Sequence, residues 1–110
     1  MTFPGTKPSS EILREIIARI VQVAHPQRLI LFGSAARGEM GPDSDVDLLV
    51  VVQEPVHRRD LAGEIYRNLH GVQLPVDVVV VTENDIQEFG DKLGTVLYPA
   101  LKEGVVVYEA

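Results

Sequence analysis

Residues 29–52 read LILFGSAARGEMGPDSDVDLLVVV, from Leu29 to Val52. An apolar run, Leu29–Phe32, stops at Gly33-Ser34; a polar connection follows; Asp45-x-Asp47 then leads a second apolar run, Val46–Val52. The first run is short and closed by glycine, which predicts a strand. The second is apolar throughout except at Asp47, as in a strand covered on both faces. A Gly-Ser turn can receive a phosphate, and two carboxylates two residues apart can hold a divalent metal. Side by side, they predict a metal-dependent nucleotide site.

Outward from this stretch, helix and strand patterns alternate. Residues 1–7 contain Pro4 and Gly5 and are expected to form a loose tail. Pro8-Ser9-Ser10 opens a helix with a serine cap and Glu11 in the first turn. Ile12, Leu13, Ile16, Ile17, Ile20, Val21 and Ala24 give it one apolar face, and His25-Pro26 ends it. Beyond Glu54-Pro55, residues 58–70 predict a second helix with Leu61, Ala62, Ile65, Tyr66 and Leu69 on one side and Gly71 as its stop. Residues 75–81, PVDVVVV, predict a third strand interrupted by one acid, Asp77. Thr82 caps a helix from Glu83, with Asp85 completing a capping box. Ile86, Phe89, Leu93, Val96, Leu97 and Leu101 continue an apolar face, with breaks expected at Gly90, Gly94 and Pro99. Val105–Tyr108 predicts a last strand at a sheet edge.

Asp45 and Asp47 are one residue apart, so their side chains share a face. Asp77 likewise stands near the start of its strand. The second and third strands are joined through a helix, which favours a parallel pair whose starting ends lie together. Gly33 and Ser34, at the far end of the first strand, meet these acids only if that strand runs antiparallel to the second. The fold class expected is therefore α/β (α+β): a small mixed sheet with flanking helices.

Carboxylates are natural ligands for magnesium, which completes its octahedron with waters and substrate phosphates. Two such ions would activate the attacking oxygen and stabilise the leaving one. Asp45 and Asp47 are assigned to metal binding, with Asp47 as the bridging candidate. Asp77 either serves the metal or takes the proton of the attacking hydroxyl. Ser34 is expected to cap the next helix and to offer hydroxyl and amide donors to an anion. Arg37, read as lying in that helix's first turn, opposes the dipole there, which favours a triphosphate contact. Taken alone, Gly-Ser is an ordinary turn, and Asp43-Ser44-Asp45 reads equally as a capping turn. Asp47 and Asp77 are different, because each puts a charge into a valine-rich strand, where an unpaired buried charge is costly. His25, His57 and His70, at element ends, and Arg58-Arg59, at a helix start, read as solvent-facing.

The chain has 110 residues, room for one domain over residues 1–110, and a net charge of −6 that disfavours broad contact with nucleic acid or an anionic membrane. Three Phe, three Tyr and no Trp leave little for stacking on bases. With no cysteine, thiolate sites and disulfides are excluded. Without a signal-peptide pattern or a membrane-length apolar run, a cytoplasmic protein is expected.

Gly33-Ser34, ten intervening residues, Asp45-x-Asp47 and the later strand acid Asp77 resemble the DNA polymerase β-type nucleotidyltransferase superfamily. Arg37-Gly38 and the small size resemble its minimal nucleotidyltransferase (MNT) branch, which includes MntA-like antitoxins. The resemblance runs from the first helix to the last strand. It implies a polymerase β-like core in which Gly33 and Ser34 bind nucleotide phosphates and Asp45, Asp47 and Asp77 hold Mg2+, two ions in all. It further implies transfer of a nucleoside monophosphate from an NTP, AMP from ATP, to a hydroxyl of a partner protein, the antitoxin's role in a HEPN/MNT toxin–antitoxin pair. Two alternatives stand beside this: a module that neutralises a toxin by contact alone, and a transferase subunit with an RNA or small-molecule acceptor. An apolar surface around Phe89 to Leu101 is a candidate for docking a partner, in a homo- or hetero-oligomer.

Overall fold

The computed structural model describes residues 9–41, 44–92 and 97–110. The predicted tail at residues 1–7, and Leu93, Gly94 and Val96 of the expected long helical face, lie outside the described residues. Four strands, β1 (Arg28–Phe32), β2 (Val46–Val52), β3 (Val76–Thr82) and β4 (Val105–Glu109), form one sheet in the order β3-β2-β1-β4. β1 runs antiparallel to both β2 and β4, while β2 and β3 are parallel. The sheet is mixed, as expected, with β4 at an edge.

The first helix, α1 (Ser10–Ala24), begins where Ser9 Oγ accepts a hydrogen bond from the Ile12 amide at 3.2 Å. It ends at His25, whose left-handed φ of 46° precedes Pro26. Ile16 and Ile20 are fully buried. They pack on the sheet face built by Leu29, Leu31, Leu48, Val50, Val78 and Val80, which α3 (Arg58–Asn68) also covers through Ile65. The alternate residues Ile30, Leu49, Val51 and Val81 face the other way, onto Leu97 and Ala100 of α5 (Leu97–Glu103). Both faces are therefore dry, which explains why β2 is uniformly apolar rather than alternating. Asp47 and Asp77 belong by their alternation to the second face, at the starting ends of β2 and β3.

α4 (Glu83–Phe89) starts with a complete capping box. Asp85 N–H donates to Thr82 Oγ1 at 3.1 Å, and Thr82 N–H donates to Asp85 Oδ2 at 3.0 Å. The same Asp85 receives both arms of Arg58, each at 2.9 Å. Arg58 is thus not a merely solvated helix start: it ties the beginning of α3 to the cap of α4. Two further expectations are corrected. Pro99 does not break a helix, because it lies within α5. Of the expected Phe89-to-Leu101 docking surface, Leu97 and Ala100 are buried and Leu101 packs against them, while Leu93 and Val96 lie outside the described residues. Phe89 itself stays exposed. The end of α3 also falls earlier than expected, at Asn68, because Leu69 leaves helical geometry and Gly71 turns at φ 90°.

No helix among the described residues is long and apolar enough to cross a membrane.

Candidate functional site

Strand register assembles the site. Asp47 pairs with Asp77 across the parallel β2–β3 ladder and with Phe32 across the antiparallel β1–β2 ladder. The end of β1 therefore meets the starts of β2 and β3, and the residue after Phe32 is Gly33. Its φ is 70°, in the left-handed region. A Cβ added there would run into Asp47 Oδ2, with Asp47 Cγ only 3.3 Å away. Glycine is required twice at this position, once by the backbone and once by the carboxylate against it.

The five-residue helix α2 (Gly33–Arg37) starts at once, with Phe32 as its N-cap. Ser34 is accordingly not the cap that the sequence predicts but the second helical residue. The reason is that Gly33 takes the turn itself and enters the helix. Ser34 still belongs to the first turn, where amides have no intrahelical acceptor. Its carbonyl accepts the Glu39 amide at 2.8 Å, closing the far end of α2 over Gly38, whose φ is 71°.

Arg37 needs a larger correction. In a helix this short it is the last residue, where a cation agrees with the dipole rather than opposing it. Its guanidinium is already engaged by Glu39 Oε1 at 3.1 Å and Glu103 Oε2 at 3.3 Å. It remains close enough to Asp47 to favour that residue's charged form. The dipole argument for a triphosphate contact fails, while the proximity of Arg37 to the acidic end of the sheet holds.

Asp47 is half-buried and its pKa is raised above 3.8, first by burial and then by the neighbouring charges of Asp77 and Asp45; Arg37 pulls the other way. Asp77 is exposed on the edge strand, and Asp45 is exposed just ahead of β2 rather than within it. Asp43 lies outside the described residues. Among the described residues no three acids or histidines are gathered into a ready metal cage. What register brings together is the Asp47–Asp77 pair, with Asp45 close enough to act on Asp47 electrostatically. The donor set suits a hard divalent cation, which binds through one or two carboxylates and takes its other ligands from water and phosphate. Mutual repulsion among these acids is what a cation would relieve.

Sequence reading missed Tyr66, which it assigned to the apolar face of α3. Its hydroxyl accepts the Val78 amide at 2.8 Å and lies 3.1 Å from Asp77 Oδ1. Its pKa is raised, first by burial and also by Asp77 and Asp45, against the pull of the Val78 hydrogen bond. The available signal was chemical: a tyrosine on an apolar stripe carries a hydroxyl that needs a partner. His25, His57 and His70 are exposed at element ends, as expected, and His57 pairs with Asp60.

A cleft of about 200 Å³ lined by Gln27, Val52, Gln53, Glu54, Thr82, Glu83 and Asn84 lies at the other end of the sheet. The length of β2 separates it from the carboxylates, roughly 20 Å at the usual rise per residue. It is not part of this site.

A family model described as a nucleotidyltransferase domain matches residues 10–104. Among solved structures, the chain is similar to a proposed nucleotidyltransferase from Sulfolobus solfataricus, with 22% identity and a TM-score of 0.61, over 90% of this chain and 78% of that one. At that identity the likeness concerns the fold. A weaker likeness, at 17% identity and a TM-score of 0.44, is to the Cid1 poly(U) polymerase, over 73% of this chain and 35% of that one. No curated protein matches the sequence significantly.

Proposed function

The chain belongs to the nucleotidyltransferase domain family, and we propose that it moves AMP from ATP to a hydroxyl of a partner protein, with Mg2+ held at Asp45, Asp47 and Asp77. Nucleotidyl transfer is the reaction class of the family; the acceptor, the base and the metal are our reading. The observation that carries it is the register of Asp47 against Asp77 with Gly33 abutting the Asp47 carboxylate. That arrangement puts a turn able to receive phosphate next to paired acids. When bound, the divalent ions neutralise the triphosphate and polarise the phosphorus under attack.

The chain's own residues divide the remaining work. Gly33 and Ser34 offer their amides, and Ser34 its hydroxyl, to the phosphates from the first turn of α2, while the missing side chain of Gly33 lets that turn close against Asp47. Asp77, exposed at the sheet edge, accepts the proton of the incoming hydroxyl. Arg37 serves the phosphates only by leaving Glu39 and Glu103, an exchange among exposed charges that costs little. In this reading the acceptor hydroxyl is brought by a partner protein. In the MNT branch that Arg37-Gly38 resembles, many members are antitoxin-like and pair with a HEPN-domain protein, and our reading takes such a protein as the partner.

The test is to incubate the chain with α-labelled ATP, Mg2+ and the protein encoded by the adjacent reading frame. The label should enter that protein with release of pyrophosphate, and Asp45→Asn with Asp47→Asn should abolish it. Absence of label from every NTP, with Mg2+ or Mn2+, refutes the reading. If the doubly substituted chain still neutralises its partner fully, contact alone suffices and transfer is not the biological activity.

A further inference from the structure

Tyr66 lies on α3, which packs against the sheet face opposite to Asp47 and Asp77, yet its hydroxyl reaches round the edge strand β3. There it accepts a hydrogen bond from the Val78 amide at 2.8 Å, an amide that an edge strand leaves without a ladder partner on that side. Two acceptors compete for its single proton: Asp77 Oδ1 at 3.1 Å and the Val78 carbonyl at 3.4 Å. The carboxylate is both nearer and charged, so it takes the proton. The result is a clamp in which the backbone of Val78 fixes the hydroxyl and the hydroxyl fixes the neighbouring carboxylate.

The clamp limits a specific freedom. Asp77 is exposed at the sheet edge, where its carboxylate would otherwise sample several rotamers in solvent. We propose that Tyr66 is a positioning residue for nucleotidyl transfer, fixing the Asp77 carboxylate in one rotamer at the outer edge of β3 before substrate arrives. This rests on the reading of Asp77 as the residue that meets the acceptor hydroxyl. Tyr66 is 43% exposed, so its ring is not a major part of the core and the hydroxyl can be removed without a large packing loss.

Tyr66→Phe keeps the ring and deletes the clamp. In the metal-free chain, NMR scalar couplings should show one dominant Asp77 χ1 rotamer in the wild type and an average over several in Tyr66→Phe. In the transfer assay kcat should fall roughly tenfold, the weaker end of what one hydrogen bond to a charged group controls, with KM for the NTP unchanged. The thermal midpoint should fall by a few degrees, because the Val78 amide loses its acceptor. Couplings already averaged in the wild type, or unchanged in the variant, overturn the clamp. A kcat equal to wild type, or a loss in kcat/KM that comes from KM, overturns its role in transfer. So does recovery of a nucleotidyl group on Tyr66 itself, which would make it an acceptor. If Asp77→Asn transfers normally while Tyr66→Phe still frees the Asp77 rotamer, the catalytic reading of Asp77 fails and the contact remains a structural one.

Discussion

Replacing Gly33 by alanine separates the backbone requirement at the site from the chemical one. At φ 70° an alanine sits in the left-handed region, at a cost of about 1–2 kcal/mol. Its narrower freedom in the unfolded chain returns roughly 0.5 kcal/mol. The new methyl also collides with Asp47 Oδ2, so the carboxylate must turn aside. An off-rotamer side chain adds on the order of 1 kcal/mol. The sum is about 1.5–2.5 kcal/mol, or a drop of roughly 5–15 °C in the thermal midpoint for a chain of this size. The collision can be isolated. With Asp47→Ala the nearest remaining atom is Asp47 Cβ at 3.6 Å, ordinary contact, so Gly33→Ala in that background should cost about 1 kcal/mol less than in the wild type. Urea denaturation of the four proteins, the wild type, each single variant and the double, measures this directly. Nucleotidyl transfer by Gly33→Ala should fall far more than stability, because the displaced group is the central carboxylate. Equal costs in both backgrounds would refute the contact, and a neutral Gly33→Ala would refute the left-handed turn.

Asp47→Asn should stabilise the metal-free protein at neutral pH. The folded pKa of Asp47 is raised above 3.8, so its favourable contribution exists below that value and is lost as pH rises through the folded pKa. The thermal midpoints of variant and wild type should therefore differ at pH 7 and converge as pH falls below about 4, and Mg2+ or Mn2+ should raise the midpoint of the wild type more than that of the variant. Asp85 behaves in the opposite sense. Burial alone would raise its pKa, but hydrogen bonds from the Thr82 amide and from Arg58 bring it below 3.8, so its contribution is present above that value and disappears as pH falls through the lower folded pKa. Arg58→Ala should cost about 1 kcal/mol or less at pH 7, since Arg58 is half exposed, and nothing in strong acid, as read by chemical denaturation across pH. Gly104→Ala should lower the urea midpoint by the equivalent of about 1–3 kcal/mol, because a Cβ there meets the Ala100 carbonyl and Ile30 Cγ2 where α5 turns into β4.

The elements were legible because their signals are local. Ser9 and Thr82 are caps recognisable from a few neighbours, and the Val46–Val52 and Val76–Thr82 runs are too apolar and β-branched to be anything but buried strands. The parallel β2–β3 pair followed from the helix between them, and with it the meeting of Asp47 and Asp77. What sequence reading got wrong concerned positions whose meaning depends on length or on distant partners. Arg37 changed ends of its helix because α2 is only five residues long. Arg58 acquired a role because Asp85, 27 residues away, lies beside it. Leu97 and Ala100 left the surface because α5 closes the second face of the sheet.

By itself, then, the sequence determined the strand and helix pattern, the mixed sheet and the acids that converge on it, since each follows from periodicity, capping and the short range of chain connectivity. Only the tertiary structure decided that Gly33 must be glycine because of Asp47, and that Tyr66 clasps Asp77 from across an edge strand. One sets a side chain against the backbone and the other joins two side chains, both at distances of a few ångströms set by register and packing. Composition and spacing carry no record of them.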